Sequence, residues 1–294
     1  MSIFRTLLAV IVLVGGTTRA AADTLPLWEV AGRDGRIVLM GSIHFLRPGQ
    51  DMLPDAAIDA VRAADTIYME LDLDDLDPAA AQAAVQRYGV DPQGRSLETL
   101  LGPRSWASAQ AKAQKLGLDL ATLRSFEPWL AAVTISQLQL AALGYDSQAG
   151  VEQQILALAR DGRKEIRGLE TVDQQFGALD GLPTATQAAF LEQTLDEAAT
   201  MGEEIGRMVE AWRSGDTQTM AREFLGPVRE QPELYRRIVV ERNSDWARQL
   251  VPLLRDGKRY LVVVGTLHLV GPDSVIALLQ KTGYTVRQLD TETE

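Results

Sequence analysis

Two segments of nearly the same form lie towards opposite ends of the chain, and they constrain its fold more than any other feature. Arg36-Ile37-Val38-Leu39-Met40-Gly41-Ser42-Ile43-His44 is an apolar run followed by Gly, a small hydroxyl residue, a branched apolar residue and His. Tyr260-Leu261-Val262-Val263-Val264-Gly265-Thr266-Leu267-His268 repeats that order, and a Pro stands four residues beyond each His, at Pro48 and Pro272. The chain has 294 residues and two histidines, and both fill this slot. Continuous apolar runs of this kind fit strands covered on both faces. Each copy therefore predicts a buried strand with a Gly-x-x-His exit.

The flanking residues extend the repeat. Leu27 to Val30 and Arg36 to Gly41 predict an N-terminal hairpin turning at Gly32–Gly35. Beyond the Phe45 to Pro54 loop, Asp55 to Ala64 has helical spacing with Asp55 as its cap, and Thr66 to Leu71 is the next strand. The C-terminal copy runs through strand 260–264, a loop at Gly271-Pro272, helix Asp273 to Lys281, a stop at Gly283 and strand Tyr284 to Leu289. Strand, helix, strand in this order implies parallel pairing. The expected fold is α/β: a mixed, largely parallel sheet built from two pseudo-repeated βαβ units. One copy ends in Glu70 and the other places Gln288 near the matching point, so the halves differ chemically.

Residues from about 75 to 256 read as a mostly helical insertion or cap. Apolar residues recur at helical spacing in Pro78–Tyr88, Ser105–Leu116, Glu127–Leu143 and Val151–Arg160. Helices are also expected at about 171–178, Thr184–Arg213, Asp216–Leu225 and Pro232–Arg255, with a short strand at Glu165-Ile166-Arg167. No low-complexity linker divides the chain, so residues 23–294 are expected to form a single domain.

Arg5, the apolar run Leu7 to Val14 and Ala20-Ala21-Ala22 read as a secretory signal peptide over residues 1–22, cut before Asp23. The run is short for a membrane span, and with no Cys in the chain a lipid anchor is not expected. A periplasmic or secreted protein without stable membrane insertion follows, held together by packing and not by disulfides. The formal charge of −11 becomes −13 once Arg5 and Arg19 are removed with the leader. That acidity disfavours nucleic acid and anionic lipid as partners. An unstructured acidic tail is limited to Asp290–Glu294.

Residues just beyond the C-terminal ends of strands line the ligand crevice of an open α/β sheet. If the two Gly-x-x-His strands are neighbours, His44 and His268 can converge. Two His and a carboxylate suit a divalent Zn, Mn, Co or Fe ion with open positions for water and substrate. Glu70, at a strand end, is the first choice as third ligand or base, and Glu170 the second. A metal-free alternative makes one His a general base with Arg242 steadying an anion. Arg242-Asn243, in a helical pattern, could contact a substrate carboxylate or orient a catalytic Glu. Glu152, in a first helical turn, reads as a helix-dipole residue. Asp72, Asp74, Asp75 and Asp77 lack the Gly and closing Glu of a calcium loop. The five Trp residues are scattered, as core or surface anchors would be. Serine-hydrolase, phosphate-loop and His-Glu-x-x-His signatures are absent.

These residues carry a resemblance. Leu27-Trp28-Glu29-Val30, Gly41-Ser42-Ile43-His44, Met69-Glu70-Leu71-Asp72, Gly168-Leu169-Glu170-Thr171 with Gln174 or Gln175, Glu241-Arg242-Asn243 and the Val264–Gly271 segment occur in an order that resembles the TraB/PrgY/GumN family. The likeness is greatest to its exported GumN-like members and, through them, to the Tiki proteins. The resemblance implies an α/β core shared with erythromycin-esterase and ChaN-like groups. It also implies a metal-dependent peptidase in which His44, His268 and Glu70 hold the ion. In the mechanism favoured from these residues, Glu170 or Glu70 moves the proton, and Arg242 or Asn243 positions the substrate or stabilises developing negative charge. Other relatives imply a different class: a non-catalytic protein that captures a peptide, haem, or an envelope or polysaccharide component.

Overall fold

A computed structural model of the chain describes residues 25–49 and 52–289. The leader and the acidic tail expected from the sequence lie outside them. Six strands form one sheet: β1 (Leu27–Ala31), β2 (Arg36–Ser42), β3 (Thr66–Met69), β4 (Glu165–Gly168), β5 (Arg259–Gly265) and β6 (Thr285–Gln288). Their spatial order is β4-β3-β5-β2-β1-β6. β1 pairs antiparallel with β2 and with β6, and the other pairings are parallel. The fold is α/β with a largely parallel sheet.

The two βαβ units are interleaved rather than side by side. β5 lies between β2 and β3, and β6 crosses to the far edge beyond β1. This follows from pattern and burial: β5 offers buried residues from Tyr260 through Val264 and so takes the most enclosed position, whereas β6 alternates exposed and half-buried residues and takes an edge. Alternate residues feed separate cores. Leu261 and Val263 join Met40, Ile67 and Met69 on one face; Tyr260, Val262 and Val264 join Ile37 and Leu39 on the other.

The helical middle is shared between these cores and a satellite of its own. Helices Val151–Asp161 and Met201–Arg213 cover the first face, and helices Arg242–Leu253 and Val275–Lys281 the second. Helices Leu97–Lys115, Pro128–Ala142 and Thr184–Glu197 pack on one another around Leu97, Ile135 and Leu191. Among the described residues no helix is long and apolar enough to cross a membrane.

Local readings needed correction in several places, among them the helices expected over Asp216–Leu225 and Pro232–Arg255, each interrupted by a π-helical segment, Met220–Phe224 and Arg236–Glu241. Pro54, not Asp55, is the cap of helix Asp55–Ala63; Asp55 is the first helical residue, where its charge still complements the dipole. The stretch expected as one helix from Thr184 to Arg213 is two, Thr184–Glu197 and Met201–Arg213. The helix expected from Ser105 begins at Leu97 and kinks at Gly102, whose φ of 75° precedes Pro103.

One long-range bond fixes the strand that carries His44. The buried indole of Trp212 donates to the Gly41 carbonyl at 2.8 Å. Trp212→Phe keeps an aromatic ring there but strands that carbonyl, and is expected to cost roughly 2–4 kcal/mol of stability. Urea unfolding measures this; a midpoint equal to wild type would refute it.

Candidate active site

Four adjacent strands end at one point. In spatial order β4, β3, β5 and β2 are followed by Glu170, Glu70, the Thr266–His268 turn and His44. The duplicated motifs are nevertheless staggered: Ser42 pairs with Gly265, one residue off the alignment of the sequences. β2 runs on extended through Ser42, whereas β5 ends at Gly265 and turns into a 3-10 helix, Thr266–His268. The Thr266 hydroxyl donates to the Ser42 carbonyl at 2.9 Å and stitches the two exits together. A Cβ added at Gly265 would stand 3.2 Å from Glu70 Oε1, 3.6 Å from His268 Cδ2 and 3.8 Å from His44 Nε2. Gly265 is therefore the point of convergence, and its missing side chain leaves room for the other three.

Arg242 occupies the centre. Its Nη2 donates to Glu70 Oε2 at 2.6 Å and to Glu170 Oε1 at 2.7 Å, and its Nε donates to Glu170 Oε2 at 3.0 Å. Nη1 donates to the Ile238 carbonyl and lies 3.1 Å from His268 Nε2. The guanidinium also lies over the Trp246 ring, 4.7 Å from its centroid. Gln175 bridges the two carboxylates, donating to Glu170 Oε1 at 3.0 Å and to Glu70 Oε2 at 3.3 Å. Of the neighbouring glutamines it is Gln175 that reaches the site, because Gln174 is used in a capping box with Thr171. Burial works against the charge of Glu70, but Arg242, the two imidazoles and the Gly265 N–H, which donates to Oε1 at 2.7 Å, together outweigh it and hold the carboxyl down at about 2. For Glu170 burial prevails over Arg242 and pushes the carboxyl up.

The two imidazoles differ in state. His268 is buried, and its Nε2 faces a cationic N–H donor, so that nitrogen accepts and Nδ1 carries the proton. Nδ1 donates to Asn243 Oδ1 at 2.7 Å, and Asn243 is itself oriented by donating to the Asp273 carbonyl at 2.8 Å. Burial and then Arg242 push His268 down to about 3, so it is neutral. His44 keeps 58% of its side-chain surface exposed, and its Nδ1 lies 2.7 Å from Glu152 Oε1. The Glu152 charge pushes His44 up to about 9 against the opposing effect of burial, with solvent screening softening the rise.

The sequence alone gave Glu152 only a helix-dipole role. It begins helix Val151–Asp161 as expected, but its side chain also holds His44 and accepts the Ser42 hydroxyl. Backbone contact forces this meeting: Val151 N–H donates to the Ile43 carbonyl, and a Cβ at Gly150 would come within 2.2 Å of the His44 carbonyl oxygen. Trp246, read from sequence only as an anchor, packs against both Arg242 and His268. Of the two contacts weighed for Arg242, the structure shows the one with glutamate.

The donor chemistry fits a divalent ion. Each His has Nδ1 tied to a side-chain acceptor, the outer-partner pattern that fixes metal-binding imidazoles, and Glu70 Oε1 lies in the same crevice. Among the described residues, however, no three carboxylate or imidazole groups are gathered closely enough to hold an ion as they stand. The guanidinium lies against His268 Nε2 and Glu70 Oε2 instead. An ion would have to replace Arg242 at His268 and displace the proton from His44 Nε2.

Fold and crevice together define an α/β protein with a polar site of paired glutamates, arginine and two histidines at the C-terminal ends of its parallel strands. The TraB/PrgY/gumN family profile matches residues 26–288, and the chain belongs to that family. It is 25% identical over 242 residues to a protein of Escherichia coli K12 titled "Uncharacterized protein YbaP", covering 82% of this chain and 87% of the relative. It is also 25% identical over 269 residues to an uncharacterized protein of Treponema pallidum (strain Nichols), covering 86% and 80%. No solved structure matches the chain.

With two histidines, NMR of the imidazole nitrogens of the metal-free protein is unambiguous. At pH 7 one ring should be the neutral Nδ1–H form and the other doubly protonated, and Glu152→Gln should bring His44 down towards 6.5. A raised His44 contributes stability that is complete below about pH 6.5 and lost as pH rises to about 9; a depressed His268 contributes stability complete above about 6.5 and lost as pH falls towards 3. Thermal stability should peak between these windows. Two rings titrating together near 6.5 would overturn the assignment.

Proposed function

We propose that this crevice hydrolyses an acyl bond, a peptide bond first among the candidates, with a divalent ion (Zn, Mn, Co or Fe) held by His44, His268 and Glu70. The observation that supports this most is the common orientation of the two rings, each with Nδ1 held from behind by Glu152 or Asn243. Bound there, the ion would supply an acidified water and a Lewis-acidic point for a carbonyl. The exported-protein reading of residues 1–22 would place the activity in the cell envelope.

The chain's own residues account for the remaining requirements. Glu170, whose carboxyl burial pushes up, is suited to pass a proton to a leaving group when substrate draws it from its bonds to Arg242. Arg242, fixed by both glutamates, presents a delocalised cation where negative charge develops on a substrate oxygen. Asn243 keeps His268 in one tautomer. Trp246 shields that ring from water.

One observation favours a second reading, a non-catalytic protein that captures a peptide, haem or envelope component. His268 Nε2 and Glu70 Oε2, two of the atoms that would hold a catalytic ion, are already occupied by Arg242.

Metal content by mass spectrometry on residues 23–294 decides between the two. After reloading, near-stoichiometric ion in the wild type and none in the His44→Ala/His268→Ala variant is the expected result. Glu170→Gln should then lower kcat by about 10²- to 10⁴-fold at little cost in bound metal. No retained ion under any loading would sink the metal-hydrolase reading.

A further inference from the structure

A cavity of about 530 Å³ opens on the other side of Glu170 and Arg242, lined also by Arg237, Gly177, Trp246 and Gln249. Its charges are matched almost one for one. Arg242 is held by Glu70 and Glu170, and Arg248 by Asp245; Asp173 is held by Arg87, and Glu241 by Arg236. Arg237 is the exception. Among the described residues no carboxylate lies within ion-pair distance of it, and Glu233, which its charge helps to lower, hydrogen-bonds Arg236 instead. Its one hydrogen bond is from Nη2 to the Gly181 carbonyl at 3.3 Å, and its Nε is buried without a partner. A buried guanidinium N–H left unpaired costs free energy that a ligand acceptor would recover.

The backbone supplies a second, independent observation. Arg236–Glu241 is a π-helical stretch leading into helix Arg242–Leu253. In an α-helix, residues five apart point about 140° away from each other. The i→i+5 bonding of a π-turn brings them much closer in direction, and Arg237 and Arg242 line the same cavity.

We propose that Arg237 is a specificity residue that binds a free carboxylate of the substrate, with the cavity between helices Val172–Asp180 and Arg242–Leu253 holding the chain that joins that carboxylate to the reacting bond. The favoured ligand is therefore a peptide bearing a free carboxylate a short stretch of chain beyond the bond presented to Arg242. The assignment of that bond rests on the hydrolase reading; the carboxylate site does not. An α-carboxylate at a chain terminus and an acidic side chain offer the same chemistry.

The test is equilibrium dialysis of the full chain against three pools of mixed tetrapeptides, read by mass spectrometry: free acids, the same set amidated, and an amidated set bearing one Asp or Glu. Free acids should be retained over amides, and Arg237→Ala should weaken that retention by on the order of 10- to 100-fold while its unfolding midpoint stays at the wild-type value. Arg237→Lys should keep part of it. Retention of the Asp or Glu pool through Arg237 assigns the carboxylate to a side chain. Equal retention of acids and amides, no retention of any pool, or acid retention unchanged in Arg237→Ala overturns the proposal. Turnover in the same samples separates the two readings: acid-selective binding through Arg237 without cleavage removes the hydrolase and keeps the carboxylate site. Cleavage indifferent to the carboxylate does the reverse.

Discussion

A buried guanidinium is tolerable only if every face of it is answered, and Arg242 meets that condition by drawing three strand ends together. Glu70 comes from β3, Glu170 from β4 and His268 from the exit of β5, and each contributes an acceptor to one planar fork. An ammonium could not do this, because it lacks the fixed divergence of five N–H groups. The rest of the site depends on that pairing. It keeps Glu70 ionised beside the Gly265 amide, and it dictates which nitrogen of His268 carries the proton. With that nitrogen fixed, Asn243 has one available orientation.

The duplicated motif shows how little of a site is contained in a motif. The same Gly-x-x-His order gives one ring that is exposed, charged and paired with a glutamate, and one that is buried, neutral and paired with an amide. The difference comes from a one-residue stagger and from what lies beyond each Gly: an extended exit in β2, a 3-10 turn in β5. Burial and neighbouring charge then do opposite things to chemically identical side chains.

Much of the architecture could be read from the chain because it rests on local pattern. Apolar runs bounded by Gly gave β2 and β5, the repeated strand–helix–strand order with its Gly283 stop gave β6, and caps and periodicity gave most of the helices. The meeting of His44, His268 and Glu70 was foreseeable because all three follow strands. What escaped was set by contacts between distant segments. Glu152 lies 110 residues from Ser42 and Gln175 lies 105 from Glu70, so no spacing links them. The insertion of β5 between β2 and β3 is likewise a choice among strand orders that the βαβ pattern permits equally. The isolated charge of Arg237 becomes visible only once every other lining charge has found its partner.

The central place of β5 has a temporal meaning as well. Glu70 reaches its amide partner across 195 residues of chain and its arginine across 172. During synthesis β2, β3 and β4 all emerge before the strand that must lie among them. Until then the nascent chain has a gap in its sheet, no Gly265 amide for Glu70, and one histidine of the pair. Contacts this distant in sequence form late and slowly. A polypeptide interrupted just short of β5 therefore has nearly all of the helices, yet lacks the strand and the second histidine on which the site converges.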